Sequence, residues 1–278
     1  MSHTTLQAPQ RPVTQIPSSV PPAGHWLTLV GIGMVGGVLS GLFAVGGGIL
    51  MVPLLIWRAG MDQRRATATS LVAIVPAALV GSLTYGLHGQ INVFAASMMA
   101  VGAVAGSVLG TRLLHAIPVR PLQWMFVGFI LLVAARLLLV TPSREAVLPP
   151  TSSTAAVYLG IGLAMGIASG LFGIGGGIIA VPLMVSLVAI SDLVAKGTSL
   201  LVSIPTSATG TVANRRAGLV ELRAGVVVGV AAMVASFPAA RLSLAMSPTL
   251  SARLFAGLLV LVALQLAVKA HRSGPTRR

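Results

Sequence analysis

A glycine-rich apolar block occurs twice in this chain, and the two copies lie 129 residues apart. The first copy, SGLFAVGGGILMVPL, covers residues 40–54, and the second, SGLFGIGGGIIAVPL, covers residues 169–183. Eleven of the fifteen aligned positions are identical, and the same offset continues without a gap beyond the block. The chain is therefore an internal duplication, and we expect two homologous units. Further pairs in register are Thr69-Ser70-Leu71 with Thr198-Ser199-Leu200, Pro76 with Pro205, Gly81 with Gly210, and Arg112 with Arg241.

The composition places both units in a membrane. Of the 278 residues, 55% are apolar and only 8% are charged, whereas soluble domains carry about 25% charged residues. The mean hydropathy is +0.96. We therefore predict an all-α integral membrane protein that crosses the bilayer several times. The apolar stretches lie at about 26–57, 66–87, 91–114, 121–140, 155–190, 195–213, 219–240 and 249–268.

The net charge of +14 and the absence of cysteine exclude several function classes. Basic residues are scattered over the short connections between apolar stretches, where they act as topology signals, so we expect no nucleic-acid partner. Without cysteines there is no disulfide or thiolate chemistry. The predicted organisation is a disordered tail at 1–24, repeat 1 at 25–140, a polar linker at 141–154, repeat 2 at 155–270, and a basic tail at 271–278. The basic tail either faces lipid headgroups or simply anchors the end of the last helix.

The first apolar stretch of each repeat is longer than the roughly 20 residues that one straight membrane helix needs. Each of these stretches, 26–57 and 155–190, contains three successive glycines. We predict that each consists of two helical pieces joined at the glycines, so that each repeat has about four helical segments with the first one broken. The alternative is one long tilted helix whose glycines allow close packing.

The distribution of the 18 Lys and Arg residues favours the broken arrangement. If each long stretch crosses the membrane once, eight of the 18 lie on one side and ten on the other, which indicates no orientation. If each returns to its starting side, one side holds 13 of the 18, a strong positive-inside bias. The two repeats are then inverted in the cytoplasmic membrane, with both termini in the cytoplasm. The 13 are Arg11, Arg58, Arg64, Arg65, Arg112, Arg120, Arg215, Arg216, Arg223, Lys269, Arg272, Arg277 and Arg278.

The glycine runs are the first candidate binding site. Irregular backbone at membrane depth is tolerated only inside protein or beside a polar cavity. A helix that begins after such a break presents free N–H groups and a positive dipole end, which suit an anion. We predict that the two runs bind a small anion from two sides, although a tight helix crossing without a ligand is the alternative. The residues are Gly46, Gly47, Gly48, Gly175, Gly176 and Gly177.

Hydroxyl residues that follow each run are the second candidate group. Thr69, Ser70, Thr198 and Ser199 occur in register, and hydroxyls donate to an anion without placing a charge in the membrane. Bonding to carbonyls of the preceding turn is the alternative. In the second repeat, Ser203, Thr206, Ser207, Thr209 and Thr211 continue the series without falling on one helical stripe.

No pattern in the sequence points to catalysis. The acids Asp62, Glu145, Asp192 and Glu221 fall in or beside connections, so no proton-carrying carboxylate is expected within a span. There is no nucleophile–base set, metal-ligand spacing or phosphate-binding loop. We therefore expect neither an enzyme nor a metal or other cofactor.

The paired blocks, each followed in register by Thr-Ser-Leu, resemble the sulfite exporter TauE/SafE family over about residues 26–268. The resemblance implies a secondary transporter of small sulfur-containing anions such as sulfite or organosulfonates. Related thiosulfate importers use cysteines along the pathway, and this chain has none. The expected partners are a small anion, membrane lipids and, as one option, a second copy of the chain. A permease or channel for another small anion and a non-transporting assembly factor or receptor are the alternatives.

Overall fold

The computed structural model describes residues 24–139 and 151–272, and within these ranges the chain is helical throughout, with short connections and no strand. This confirms the all-helical fold. The ten helices are α1 (Gly24–Phe43), α2 (Gly48–Arg58), α3 (Gln63–Leu87), α4 (Val93–Ala116), α5 (Val119–Leu139), α6 (Ser152–Phe172), α7 (Gly177–Leu187), α8 (Asp192–Arg216), α9 (Leu222–Ala245) and α10 (Pro248–Arg272).

The helix boundaries repeat with the offset found in the sequence. Helices α2, α3 and α4 each begin and end 129 residues before α7, α8 and α9. Each repeat therefore has five helices, of which the first two occupy the long apolar stretch. We call positions 129 residues apart mirror positions.

The ends of the predicted segments differ from those observed. Most of the N-terminal tail at 1–24, the linker up to residue 150 and residues 273–278 lie outside the described residues. Residues 152–154, which we assigned to the linker, form the first turn of α6, because the Thr151 hydroxyl accepts a hydrogen bond from the Thr154 N–H and caps the helix. Likewise, residues 271 and 272 end α10.

The first helix of each repeat packs against a helix of the other repeat through glycines. Helices α1 and α9 are parallel, because a Cβ at Gly33 would overlap the Val228 carbonyl and a Cβ at Gly41 would overlap the Ser236 carbonyl. The mirror pair, α6 and α4, packs in the same way through Gly162, Gly166 and Gly170 on one helix and Gly102, Gly106 and Gly110 on the other. Small residues at four-residue spacing allow this close approach of backbones.

The long third helices of the two repeats run in opposite directions. A Cβ at Gly81 of α3 would lie 2.8 Å from Leu200 Cδ1, whereas one at Gly210 would lie 2.9 Å from Leu71 Cδ1. Residue numbers therefore fall along α8 as they rise along α3. Hydrogen bonds between α4 and α8 and glycine contacts between α3 and α9 show that these neighbours are parallel. Helices α1, α3 and α9 thus share one direction, and α4, α6 and α8 share the other.

Helix α2 doubles back along α1. A Cβ at Gly47 would overlap the carbonyl of Gly36, which lies seven residues before the end of α1. Further along α2, Leu55 belongs to one buried cluster with Leu29 near the start of α1. Eleven residues rise about 16 Å, roughly half of the hydrocarbon thickness. The chain therefore returns toward its starting end, and α7 does the same beside α6.

The helical bundle has an apolar outer surface. Five helices, α1, α3, α4, α6 and α9, are long and apolar enough to cross a membrane, while α2, α7 and parts of α5 and α10 are shorter apolar helices. Large apolar side chains face outward; for example, Leu83, Val101 and Val234 are about 60% exposed. Such a surface suits lipid chains and not water.

Candidate anion site at the glycine crossing

The two chain breaks pack directly against each other at the centre of the bundle. Residues 44–48 cross residues 173–177 in opposite directions: a Cβ at Gly48 would overlap the Gly173 carbonyl, and one at Gly177 would overlap the Ala44 carbonyl. Between these contacts, a Cβ at Gly46 would lie 3.3 Å from the Gly175 Cα. We call residues 44–48 and 173–177 the glycine crossing. It brings all six predicted glycines together.

Two glycines of each three-glycine run are required by conformation as well as space. Gly46 and Gly47 have φ of 74°, and Gly175 and Gly176 have φ of 75° and 80°. In this left-handed region a Cβ costs energy that glycine avoids. The left-handed Gly47 and Gly176 directly precede α2 and α7, so each helix begins where the break ends.

The breaks leave a concentration of unused N–H donors. Within the described residues, the backbone N–H groups of residues 45–49 and 174–178 make no hydrogen bond. The first N–H groups that donate after each break are those of Leu50 and Ile179. The N-termini of α2 and α7 contribute their dipoles at the two ends of the crossing, since Gly48 lies against Gly173 and Gly177 lies against Ala44. Buried N–H groups without acceptors are rare in proteins, so this backbone is suited to an external acceptor.

Two serine hydroxyls next to the crossing also lack partners. Ser40 and Ser169 are mirror residues with 0% exposure, and neither hydroxyl makes a hydrogen bond within the described structure. Ser40 lies one helical turn beyond Gly36, on the face of α1 that contacts Gly47. Ser169 bears the same relation to Gly176 on α6. Neither serine is among the predicted site residues, although they open the two copies of the repeated block.

The predicted hydroxyl residues divide into two roles. Thr69 accepts a hydrogen bond from the Glu221 N–H at 3.2 Å, and Thr198 accepts one from the Asn92 N–H at 3.0 Å. These bonds hold the connections before α9 and α4. The two threonines therefore make equivalent contacts between the repeats, each beside the start of a helix of the other repeat.

Ser70 and Ser199 lie at the glycine crossing. The Ser70 hydroxyl is 2.8 Å from the carbonyls of Thr67 and Gly173, and the Ser199 hydroxyl is 2.9 Å from the Lys196 carbonyl and 3.3 Å from the Ala44 carbonyl. Each therefore binds both its own preceding turn, as the alternative interpretation expected, and the break of the opposite repeat.

Asp192, which we placed in or beside a connection, belongs to a buried ion pair. Asp192 is the first residue of α8, and its carboxylate lies 2.8 Å from Lys196 Nζ. The side chains are 10% and 3% exposed. Lys196 also donates to the hydroxyls of Ser251 at 2.8 Å and Ser243 at 3.3 Å. Lysine and acid four residues apart on one helix were the available sequence signal.

Comparison with known proteins agrees with this architecture. The family described as "Sulfite exporter TauE/SafE" matches residues 4–137 and 158–278. The chain belongs to the TauE/SafE family. The resemblance inferred from the repeated blocks is thereby confirmed, and the protein is a multi-pass membrane protein of a transporter family.

Individual relatives carry general names. The chain is 28% identical over 219 residues to the probable membrane transporter protein YunE of Bacillus subtilis, covering 70% of this chain and 80% of that protein. It is 28% identical over 189 residues to the probable membrane transporter protein YdhB of the same organism, covering 66% and 77%. The probable membrane transporter protein MamO of Paramagnetospirillum magneticum is 30% identical over 125 residues, which cover 42% of this chain and only 20% of that protein.

Proposed function

We propose that this protein is a secondary transporter that moves a small sulfur-containing anion, such as sulfite or an organosulfonate, across the cytoplasmic membrane by alternating access. One observation carries the proposal: the glycine crossing has unbonded N–H groups at two helix N-termini and two unpartnered buried hydroxyls beside it. The family description, which names sulfite, supports the choice of anion.

The donor set fits an oxyanion. In our proposal, the N–H groups of Gly46–Gly48 and Gly175–Gly177 donate to the anion together with the hydroxyls of Ser40 and Ser169. These donors carry no full charge, so the empty site needs no counter-ion at membrane depth. Thr69, Ser70, Thr198 and Ser199 form the surrounding part of the site by holding the helix starts and chain breaks in place.

Alternating access would follow from an inverted arrangement of the repeats. The antiparallel course of α3 and α8, and the return of α2 and α7 beside α1 and α6, support two repeats that enter the membrane from opposite sides. The glycine crossing would then lie near the midplane on the axis relating the repeats, where transporters of this architecture bind substrate. The positive-inside bias supports cytoplasmic termini.

Transport by reconstituted protein tests the site. Sulfite uptake into proteoliposomes would be compared for the parent, Ser40→Ala, Ser169→Ala and the control Ser97→Ala, whose exposed hydroxyl bonds only to the Val93 carbonyl. A hydrogen bond to a charged ligand contributes about 1.5 kcal/mol or more, so we expect about a tenfold rise in KM for each site variant.

Each transport result has a definite meaning. Saturable uptake that is weakened at Ser40 and Ser169 but not at Ser97 supports the proposal. Unchanged KM in both site variants would remove the glycine crossing from the mechanism. Absence of sulfite uptake by the folded parent protein would contradict the proposed substrate, and uptake that never saturates would favour a channel.

The inverted arrangement is tested separately by cysteine labelling. Arg58 and Leu187 are exposed mirror residues at the ends of α2 and α7, and the chain has no cysteine of its own. An impermeant maleimide should label Arg58→Cys from the cytoplasmic side and Leu187→Cys from the opposite side. Labelling of both from the same side would refute the inversion.

A further inference from the structure

One face of α8 is polar along its C-terminal half. Ser203, Ser207, Thr211 and Asn214 follow one another at spacings of four, four and three residues, which place them on one side of the helix. We call these four residues the α8 polar stripe. Ser203, Ser207 and Asn214 have no exposed surface.

The stripe begins at the glycine crossing and extends away from it. The Ser203 hydroxyl lies 2.7 Å from the carbonyl of Gly175, within the crossing. At the far end, Asn214 Oδ1 lies 3.2 Å from His115 Nε2 on α4. The stripe therefore connects the proposed anion site with the C-terminal end of α8.

The two middle members of the stripe have no hydrogen-bond partner. The hydroxyl oxygens of Ser207 and Thr211 are buried, and neither makes a hydrogen bond to any described residue. Thr206 and Thr209, which lie on other faces of α8, instead bond to carbonyls of their own preceding turn. Within α8, the unpartnered hydroxyls therefore lie on the stripe.

The mirror face of α3 is apolar where the stripe begins and has no unpartnered hydroxyl at the mirror positions of Ser207 and Thr211. The positions that correspond to Ser203 and Ser207 are Ile74 and Ala78, both apolar and buried. The position that corresponds to Thr211 is Ser82, whose hydroxyl bonds to the Leu79 carbonyl. The duplicated fold therefore accommodates apolar residues at these positions.

Unpartnered hydroxyls are unfavourable for folding. A buried polar group without a hydrogen bond costs about 1–3 kcal/mol. Since Ala78 fills the position equivalent to Ser207, packing does not require the hydroxyl. A donor that is retained at this cost is suited to a ligand that is present only part of the time.

We infer that the α8 polar stripe is the route of the transported anion between the glycine crossing and the C-terminal end of α8, with Ser207 and Thr211 as its hydrogen-bond donors. The ligand class is a small oxyanion, whose oxygens accept from hydroxyl groups in succession. This inference rests on the proposed function and adds the path and its asymmetry: the mirror face of α3 provides no equivalent route.

Cysteine modification tests the route without requiring knowledge of the substrate. Because the chain contains no cysteine, Ser207→Cys, Thr211→Cys and the matched control Ala78→Cys each introduce a single thiol. The probes are the small anion 2-sulfonatoethyl methanethiosulfonate and its trimethylammonium counterpart. A thiol reacts as the thiolate, which is disfavoured in dry packing, and the reagent must also reach it.

We expect the anionic probe to modify Ser207→Cys and Thr211→Cys at least about tenfold faster than Ala78→Cys, since the control thiol lies in dry packing. The ratio of the anionic to the cationic modification rate, normalised to a free thiol, should also be higher at the two stripe positions than at Ala78→Cys. Equal rates at Ser207→Cys and Ala78→Cys, or no modification at any stripe position, would overturn the inference.

Sulfite uptake by Ser207→Ala separates this inference from the proposed function. The variant carries the residue that α3 has at the mirror position, so we expect it to fold. We expect about a tenfold loss of uptake, because a hydrogen bond to a charged ligand contributes about 1.5 kcal/mol or more. If the parent transports no sulfite but the labelling order holds, the substrate is wrong and the route stands. If sulfite uptake is normal in the parent and in Ser207→Ala, the route is wrong and the proposed function stands.

Discussion

Replacing Lys196 by threonine removes the cation from the buried ion pair and leaves its partner charge in place. Lys196 Nζ contacts Asp192 at 2.8 Å and also bonds to Ser243 and Ser251. Breaking a buried ion pair by removing one partner costs about 3–5 kcal/mol, because the remaining charge is desolvated without compensation. We therefore expect Lys196→Thr to lower the free energy of unfolding by about 4 kcal/mol.

The duplication supplies a matched double variant. Asp192→Gln combined with Lys196→Thr gives α8 the residues that α3 carries as Gln63 and Thr67. Replacing both partners of a buried pair leaves no uncompensated charge, and replacement by hydrophobic residues of similar volume is often close to neutral. We expect the double variant to lie within about 1 kcal/mol of the parent, so that the double-mutant cycle yields a coupling of about 3 kcal/mol or more.

Unfolding of the purified protein in mixed micelles with increasing SDS, followed by tryptophan fluorescence, measures these differences. Arg65→Thr is the control, because Arg65 pairs with Asp62 and Glu221 at the surface, with 46%, 57% and 42% of the three side chains exposed. Such pairs contribute about 1 kcal/mol or less. The reasoning fails if Lys196→Thr costs no more than Arg65→Thr, or if the two α8 substitutions are additive.

Two further predictions concern the glycine crossing, and both are measured as melting temperature in detergent. Gly48→Ala should destabilise the protein by about 1–3 kcal/mol or prevent its assembly, because the new Cβ would overlap the Gly173 carbonyl. The control Gly160→Ala, with no atom within 4 Å of its Cβ, should stabilise α6 by up to about 1 kcal/mol. Equal effects of the two substitutions would show that close packing at Gly48 does not matter. Ser199→Ala should cost about 1–3 kcal/mol by leaving the Ala44 carbonyl without its donor; an unchanged melting temperature would show that this hydrogen bond does not stabilise the fold.

Much of the fold was predictable because each element is encoded twice. The break between Phe43 and Gly48 and the break between Phe172 and Gly177 coincide with the paired glycine runs. The remaining helices recur at the same offset as the sequence identities. A local signal such as the Asn92 cap also sets a helix start. Boundaries near the polar linker were less predictable, since a capping threonine and a loop threonine look alike in sequence.

The hydrogen-bond partners in the site were not predictable, because they join distant parts of the chain. Ser70 reaches a carbonyl 103 residues away, and Ser199 reaches one 155 residues away. Only the assembled repeats decide that these hydroxyls bind carbonyls while Ser40 and Ser169 remain unpartnered. Burial of Asp192 and Lys196 likewise depends on α9 and α10, which provide Ser243 and Ser251.

Differences between mirror positions are more informative than the identities. Mirror positions lie on equivalent helices of the two repeats, with equivalent neighbouring helices. A residue that the fold itself required would therefore be expected in both repeats. On the buried face of α8 the second repeat carries an ion pair, a hydroxyl at Ser203 and unpartnered hydroxyls beyond it, whereas α3 carries neutral or apolar residues at the same places. Architecture therefore does not account for these groups. Since a buried hydroxyl without a partner is unfavourable, the unpartnered hydroxyls of Ser207 and Thr211 support the route that we propose along α8.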